Sequence, residues 1–270
     1  MRTIAVDWSG RALNAGKTIW VAEVAGGELV FLENGRGRAD VARMLIELAA
    51  ITPDMVVGLD FAFSFPAWFP AQEGWVTARD VWDAACLQGE GWLTACEPPF
   101  WGHPGKRRPD VGAYAQFRVT DLAVPSTGRI RPKSIFQIGG AGAVGTGSVR
   151  GMVTLSQLSR AGFSVWPFDP PGRPLVIEIY PRVLTGRVRK SALRDREAFI
   201  ASIGLSGSRD LIIRAACTED SFDAAVSAWV MSMHEADLSD LPQSSDRSSR
   251  LEGLIWNPTA PDAIARVVPE

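Results

Sequence analysis

The chain has 270 residues, 46% of them hydrophobic, and a formal net charge of −2; that length suits one large α/β domain with its own core, and the composition excludes fibrous and disordered classes. Slight acidity gives no general attraction to polyanions, so a nucleic-acid partner would depend on local basic patches. Cys86, Cys96 and Cys217 lie far apart without a C-x-x-C pair, which excludes a disulfide framework and a zinc knuckle.

Residues 3–8, 18–24 and 28–33 read as strands, followed by a helix over 39–50 and a strand over 55–61. Gly26-Gly27 is a two-residue hairpin signal, so the first three strands are expected as an antiparallel meander. The helix then supplies a crossover that sets the fourth strand parallel to the first, with Asp7 and Asp60 side by side. From 66 to 133 the pattern breaks into Pro- and Trp-rich loops around one helical stretch, 77–87, and reads as an insertion over the sheet. A second core block opens at 134 with a short strand SIFQI, a glycine-rich turn and a helix over 148–161. Strands FSVWPF and LVIEIYP follow, then helices over 196–203, 208–216 and 221–235. The whole reads as a single domain with its core at 1–65 and 134–236 and a mobile tail from 240 to 270. Apolar stretches are interrupted before the ~18 residues that span a bilayer, and no signal-like segment precedes the first strand. A cytoplasmic protein with no membrane partner is the expectation.

Three apolar runs carry one carboxylate each: IAVDWSG at Asp7, VVGLDFAFSFP at Asp60 and LVIEIYP at Glu178. In EDSFDAA, Asp220 and Asp223 stand at i, i+3 in the first turn of the last core helix. Each acid has an ordinary alternative: a strand-to-turn cap for Asp7, backbone amides for Asp60, helix-start preference for Asp220 and Asp223. Glu178 is harder to dismiss, because an unpaired acid inside a buried strand is expensive. Brought together, such acids repel one another and raise their own pKa values unless a cation is present, and clustered hard oxygens suit Mg²⁺ or Mn²⁺. Asp7, Asp60, Glu178 and Asp223 are therefore the candidate catalytic ligands, with Asp220 as a further metal ligand. Such a set serves two-metal phosphodiester hydrolysis, in which ions ~3.5–4 Å apart activate water and stabilise the leaving oxygen.

The basic segments GKRR (105–108), RIRPK (129–133) and RVRKSALRDR (187–196) read first as solvated faces. Candidate substrate contacts are Lys133 and Arg150, which flank the glycine turn, and Arg182, just past Pro181, at a phosphate. Trp101 and Arg107, in the Pro-rich segment 96–110, would stack on and clamp a substrate, or else anchor that loop to the surface.

The order of elements, a meander with Asp7, a helix, a strand with Asp60, a later strand acid and an Asp-x-x-Asp-Ala-Ala helix, resembles the ribonuclease H-like superfamily. More narrowly, IAVDWSG, GLDFAFSFP, PFWGHPGKRRP, KSIFQIGGAGAVGTGSVRG, VWPFD, IEIYPR and EDSFDAAVSAW resemble the motifs of domain-of-unknown-function family 429. That family is described as predicted nucleases, and the resemblance runs from residue 4 to about residue 229. It implies a mixed sheet, an antiparallel meander plus parallel strands, flanked by helices. It also implies that Asp7, Asp60, Glu178 and one or both of Asp220 and Asp223 occupy metal-ligand positions, with Asp223 matching best the acid that opens the last helix.

Two rival schemes use the same chain. Gly-x-Gly-x-x-Gly within 139–145, between SIFQI and a helix and with Asp169 beyond it, approaches the dinucleotide-binding fingerprint. Asp-Trp-Ser-Gly at 7–10 faintly resembles the phosphate hairpin of actin-like kinases and ATPases. A non-catalytic binding module that keeps old acids is the third class. Histidine chemistry fails on inventory, since His103 and His234 carry no H-E-x-x-H or G-x-S-x-G context.

Overall fold

A computed structural model describes residues 1–110, 116–124, 131–244 and 246–258. Strands β1 (Arg2–Asp7), β2 (Trp20–Ala25) and β3 (Glu28–Glu33) form the antiparallel meander. Gly26 and Gly27 turn the β2–β3 hairpin at φ +59° and +79°, a conformation open to glycine and strained for most other residues. Helix α1 (Arg38–Ile51) crosses over, and β4 (Met55–Leu59) lies parallel to β1, with Val6 opposite Leu59. Beyond it come β5 (Ser164–Val165) and β6 (Leu175–Glu178), and β7 (Ser206–Gly207) closes the far edge, giving the order β5-β6-β4-β1-β2-β3-β7. The architecture is thus mixed α/β, a seven-stranded sheet of antiparallel and parallel pairs between helical layers.

Strand alternation assigns the two faces. Ile4, Val6, Val57, Leu59 and Val176 belong to one core with residues of α1, of α3 (Ala78–Ala95) and of α5 (Gly145–Arg160). Ala5, Val56 and Ile177 belong to the other, under α8 (Arg209–Cys217) and α9 (Glu219–Met233). On that second face the Thr3 hydroxyl donates to the Ala228 carbonyl at 3.0 Å, and a Cβ at Gly58 would lie 2.7 Å from Met231 Sδ. Glycine at 58 is what lets α9 approach the sheet.

The insertion is more helical than the sequence suggests: α2 (Trp68–Gln72), α3 and α4 (Val119–Ala123) lie in it. Helix α3 runs through Gly89 and Gly91, whose low propensity argues for an earlier stop. Packing overrides propensity there, because a Cβ at Gly89 would stand 2.8 Å from Val149 of α5. SIFQI is not a strand of the sheet; it turns, and makes one bridge between Gln137 and Trp101. FSVWPF keeps only the two residues of β5.

The expected tail also differs. After α6 (Pro181–Thr185), α7 (Leu193–Ser202), α8 and α9, the chain forms α10 (Glu235–Ser239) and α11 (Arg247–Glu252). Leu254, Ile255 and Trp256 are buried, and the Trp256 amide donates to the Glu178 carbonyl at 2.8 Å. Apolar side chains and the Glu252 carboxylate, which accepts from the Ala67 and Val119 amides at 2.7 and 2.6 Å, hold the segment down. Residues 259–270 lie outside the described residues. Among those described, no helix is long and apolar enough to cross a membrane.

Candidate functional site

The β1–β4 pairing delivers Asp7 and Asp60 at adjacent strand ends, where the Asp60 amide donates to the Val6 carbonyl at 3.1 Å. Both continue the alternation of Ala5 and Gly58, the side of the sheet that α9 covers. Thr218 caps α9 by accepting from the Ser221 amide at 2.9 Å, and this fixes the helix start, with Asp220 in the first turn and Asp223 one turn further on. Four carboxylates from β1, β4 and α9 thus act on one another.

Their electrostatics follow from burial and crowding. Burial, then Asp60, Asp223 and Asp220, pushes Asp7 well above the usual carboxylate range, against the partial offset of Lys190. Asp60 is pushed up to about 8, by burial first and by Asp223, Glu178 and Asp220, again with Lys190 opposing. Burial raises Asp223 and Asp220 as well; Lys190 and Arg182 pull Asp223 back, and Glu219 pushes Asp220 further. Neither the Asp7 nor the Asp60 carboxylate accepts a hydrogen bond from a described residue.

Glu178 has a different fate. It follows Val176 in the alternation, so it leaves the sheet on the face opposite Asp7 and Asp60. There the Arg118 guanidinium grips it at 2.5 and 2.7 Å and turns its other edge to Asp121 at 2.8 and 3.2 Å. The Phe63 amide adds a bond to Glu178 at 2.9 Å. Burial raises the Glu178 pKa while Arg118 opposes it. Both Glu178 oxygens are therefore already occupied.

A cleft of about 210 Å³ opens at the carboxyl ends of β1, β4 and β6. Trp8, Asp60, Tyr180, Lys133 and the start of α5 at Val144 and Gly147 line it, with the Arg118–Glu178 pair as part of its wall. Tyr180 is pushed up to about 12 by burial and by Asp60, so its phenol keeps its proton and acts as a donor.

The other expected contacts are distributed as follows. Lys133 is exposed and lines the cleft. Arg150 is spent on Glu90 at 2.6 and 2.8 Å and on the Gly10 carbonyl, tying α5 to α3 and to the β1 loop. Arg182 donates to the carbonyls of Gly186 and Val188 at 3.2 and 2.9 Å. Trp101 donates to Gln116 Oε1 at 2.9 Å, and beside it Phe100 is buried among Phe65, Phe69, Trp92 and Phe136, so this loop is anchored to the core. Arg107 lies exposed on the same loop. The glycine turn lacks the preceding strand that a dinucleotide fingerprint requires, since 134–138 is not part of the sheet.

Sequence reasoning missed Lys190, Arg118 and Tyr180. Lys190 hides in a run of charges that reads as a solvated face, yet it is buried, and so is Arg196 from the same run. Only the Arg118-x-x-Asp121 spacing, compatible with an i, i+3 pair, hints at the second network.

Asp7 and Asp60 offer hard oxygen donors that repel one another and accept no hydrogen bond from a described residue, which fits a divalent cation in chemistry. In the present side-chain arrangement, no three carboxylate, imidazole or thiol groups among the described residues converge closely enough to enclose one. No protein-family model, curated protein or solved structure matches the chain.

Proposed function

We propose that the chain is a ribonuclease H-like, Mg²⁺- or Mn²⁺-dependent phosphodiesterase of the nuclease type, as its resemblance to family 429 implies, working at the carboxyl ends of β1 and β4. One observation carries this: Asp7, Asp60 and Asp223 come from three separate segments to one buried place, and Asp7 and Asp60 accept no hydrogen bond from a described residue. The antiparallel meander continued by parallel β4 and β6 agrees with that fold.

In this scheme Asp7 and Asp60 would hold the cation, with Asp223, engaged by Lys190, and Asp220 beside them, and Glu178 serves the architecture of the cleft wall. Rotation of the carboxylate side chains is needed to close the ligand set. A bound divalent ion supplies an activated water and charge stabilisation at the phosphorus oxygens. Tyr180 donates a hydrogen bond to the substrate, and Lys133 at the rim attracts its phosphate. The narrow cleft admits one phosphate and its neighbouring groups.

Calorimetric titration of Mn²⁺ and Mg²⁺ into wild type and Asp7→Asn, with NAD and ATP as parallel ligands, tests the scheme. Saturable metal binding that Asp7→Asn abolishes supports it. Absence of metal binding, with NAD or ATP bound instead, transfers the function to the nucleotide-binding class; binding of none of them favours a non-catalytic module.

A further inference from the structure

Lys190 sits in the segment 187–190, Arg-Val-Arg-Lys, whose neighbours Arg187 and Arg189 are exposed. Its own side chain is 6% exposed and its ammonium nitrogen lies 2.5 Å from Asp223 Oδ1 and 2.7 Å from Oδ2. Lysine carries a strongly hydrated charge on a flexible stem, so such burial is costly unless the surroundings are built for it.

Here they are. Arg196, also buried, donates to the Lys190 carbonyl and, through its other nitrogens, to the carbonyls of Ala216 and Cys217 at 2.7 and 3.0 Å. Cys217 is followed directly by Thr218, the cap of α9, and so by the start of the helix that carries Asp220 and Asp223. The loop that presents the ammonium and the helix that presents the carboxylate are thereby joined as one unit.

We propose that Lys190 is a built-in cation of the carboxylate centre, standing in the place of a second metal, so that the site takes one divalent ion per chain. The inference rests on the metal-dependent reading above. Charge balance supports it. One divalent ion and one ammonium balance the three buried acids Asp7, Asp60 and Asp223, whereas a second divalent ion would exceed them by two positive charges, of which the half-buried Asp220 could offset only one. With Asp223 engaged by Lys190, the Asp7 and Asp60 carboxylates, which accept no hydrogen bond from a described residue, are left to the ion. In catalysis Lys190 acts as a positioning residue, holding Asp223 and offsetting the negative charge of the centre.

The test counts bound Mn²⁺ per full-length chain by calorimetry and by electron paramagnetic resonance, for wild type, Lys190→Met and Lys190→Arg. The expected counts are one for wild type, two for Lys190→Met with a spin-coupled pair, and one for Lys190→Arg, which keeps the charge. A lysine with a purely structural role would lower stability in Lys190→Met and leave the count at one, which overturns the proposal. Two ions in wild type overturn it as well, and that measurement stands even if Lys190→Met does not fold. No ion in wild type is a different outcome: it removes the metal-dependent reading itself, and this inference with it.

Discussion

Arg118 and Glu178 face each other through two parallel contacts, guanidinium to carboxylate, at 2.5 and 2.7 Å, with both side chains almost fully out of water. The pair joins the insertion to the last residue of β6. It also forms the wall between the cleft and the C-terminal segment, since Arg118 donates to the Glu252 carbonyl at 3.1 Å.

Breaking that pair from one side leaves a buried charge without compensation. Arg118→Met is expected to destabilise the fold by about 3–5 kcal/mol. Adding Glu178→Gln should recover part of the loss, because one of the two stranded carboxylates is then gone and only Asp121 remains. Urea denaturation of the two single variants and the double variant checks this, and additive losses would contradict it.

Metal binding should separate the acids that the sequence grouped together. Asp7→Asn is expected to abolish saturable Mn²⁺ binding and cleavage. Glu178→Gln should keep Mn²⁺ affinity within a few-fold, because its carboxylate already serves Arg118 on the opposite face of the sheet. Equal losses in the two variants would return Glu178 to the metal set.

The raised pKa of Asp60 sets a direction for pH. A carboxyl raised in the folded state from the ordinary value near 3.8 to about 8 gives stability that is fully present below the unfolded value. That stability is lost as pH rises through about 8. Metal-free protein should therefore lose thermal stability steadily from about pH 4 to pH 8. Asp60→Asn should flatten the profile and melt higher than wild type at pH 8, and added Mn²⁺ should reverse the trend in wild type alone. A wild-type melting temperature that rises over that range would refute the crowding of the acids.

Gly58 lies two residues before Asp60 and beneath α9. Its missing Cβ would stand 2.7 Å from Met231 Sδ and 2.8 Å from Ile179 Cγ2. Gly58→Ala is expected to cost about 1–3 kcal/mol by overpacking, measured by denaturant unfolding. Met231→Ala in the same chain should relieve part of it by making room.

The amino-acid sequence alone determined the meander, the glycine hairpin, the parallel placement of β4 beside β1 and hence the adjacency of Asp7 and Asp60. These depend on local alternation, turn chemistry and the handedness of a crossover, all of which act over short stretches of chain. It also marked Asp223, whose place near a helix start is local, although the helix begins at Glu219 and sets Asp223 just past its first turn. Only the tertiary structure decided the rest. Glu178 reads like its fellow strand acids, but its side depends on the register of β6 against β4, a pairing across more than a hundred residues. Lys190 and Arg118 look like surface charges because neither has a carboxylate partner visible as a buried pair in sequence; folding brings Asp223 to one and Glu178 to the other. Continuation of α3 through Gly89, and the seating of residues 254–256 beside β6, were likewise decided by contacts with distant segments, which outweigh local propensity.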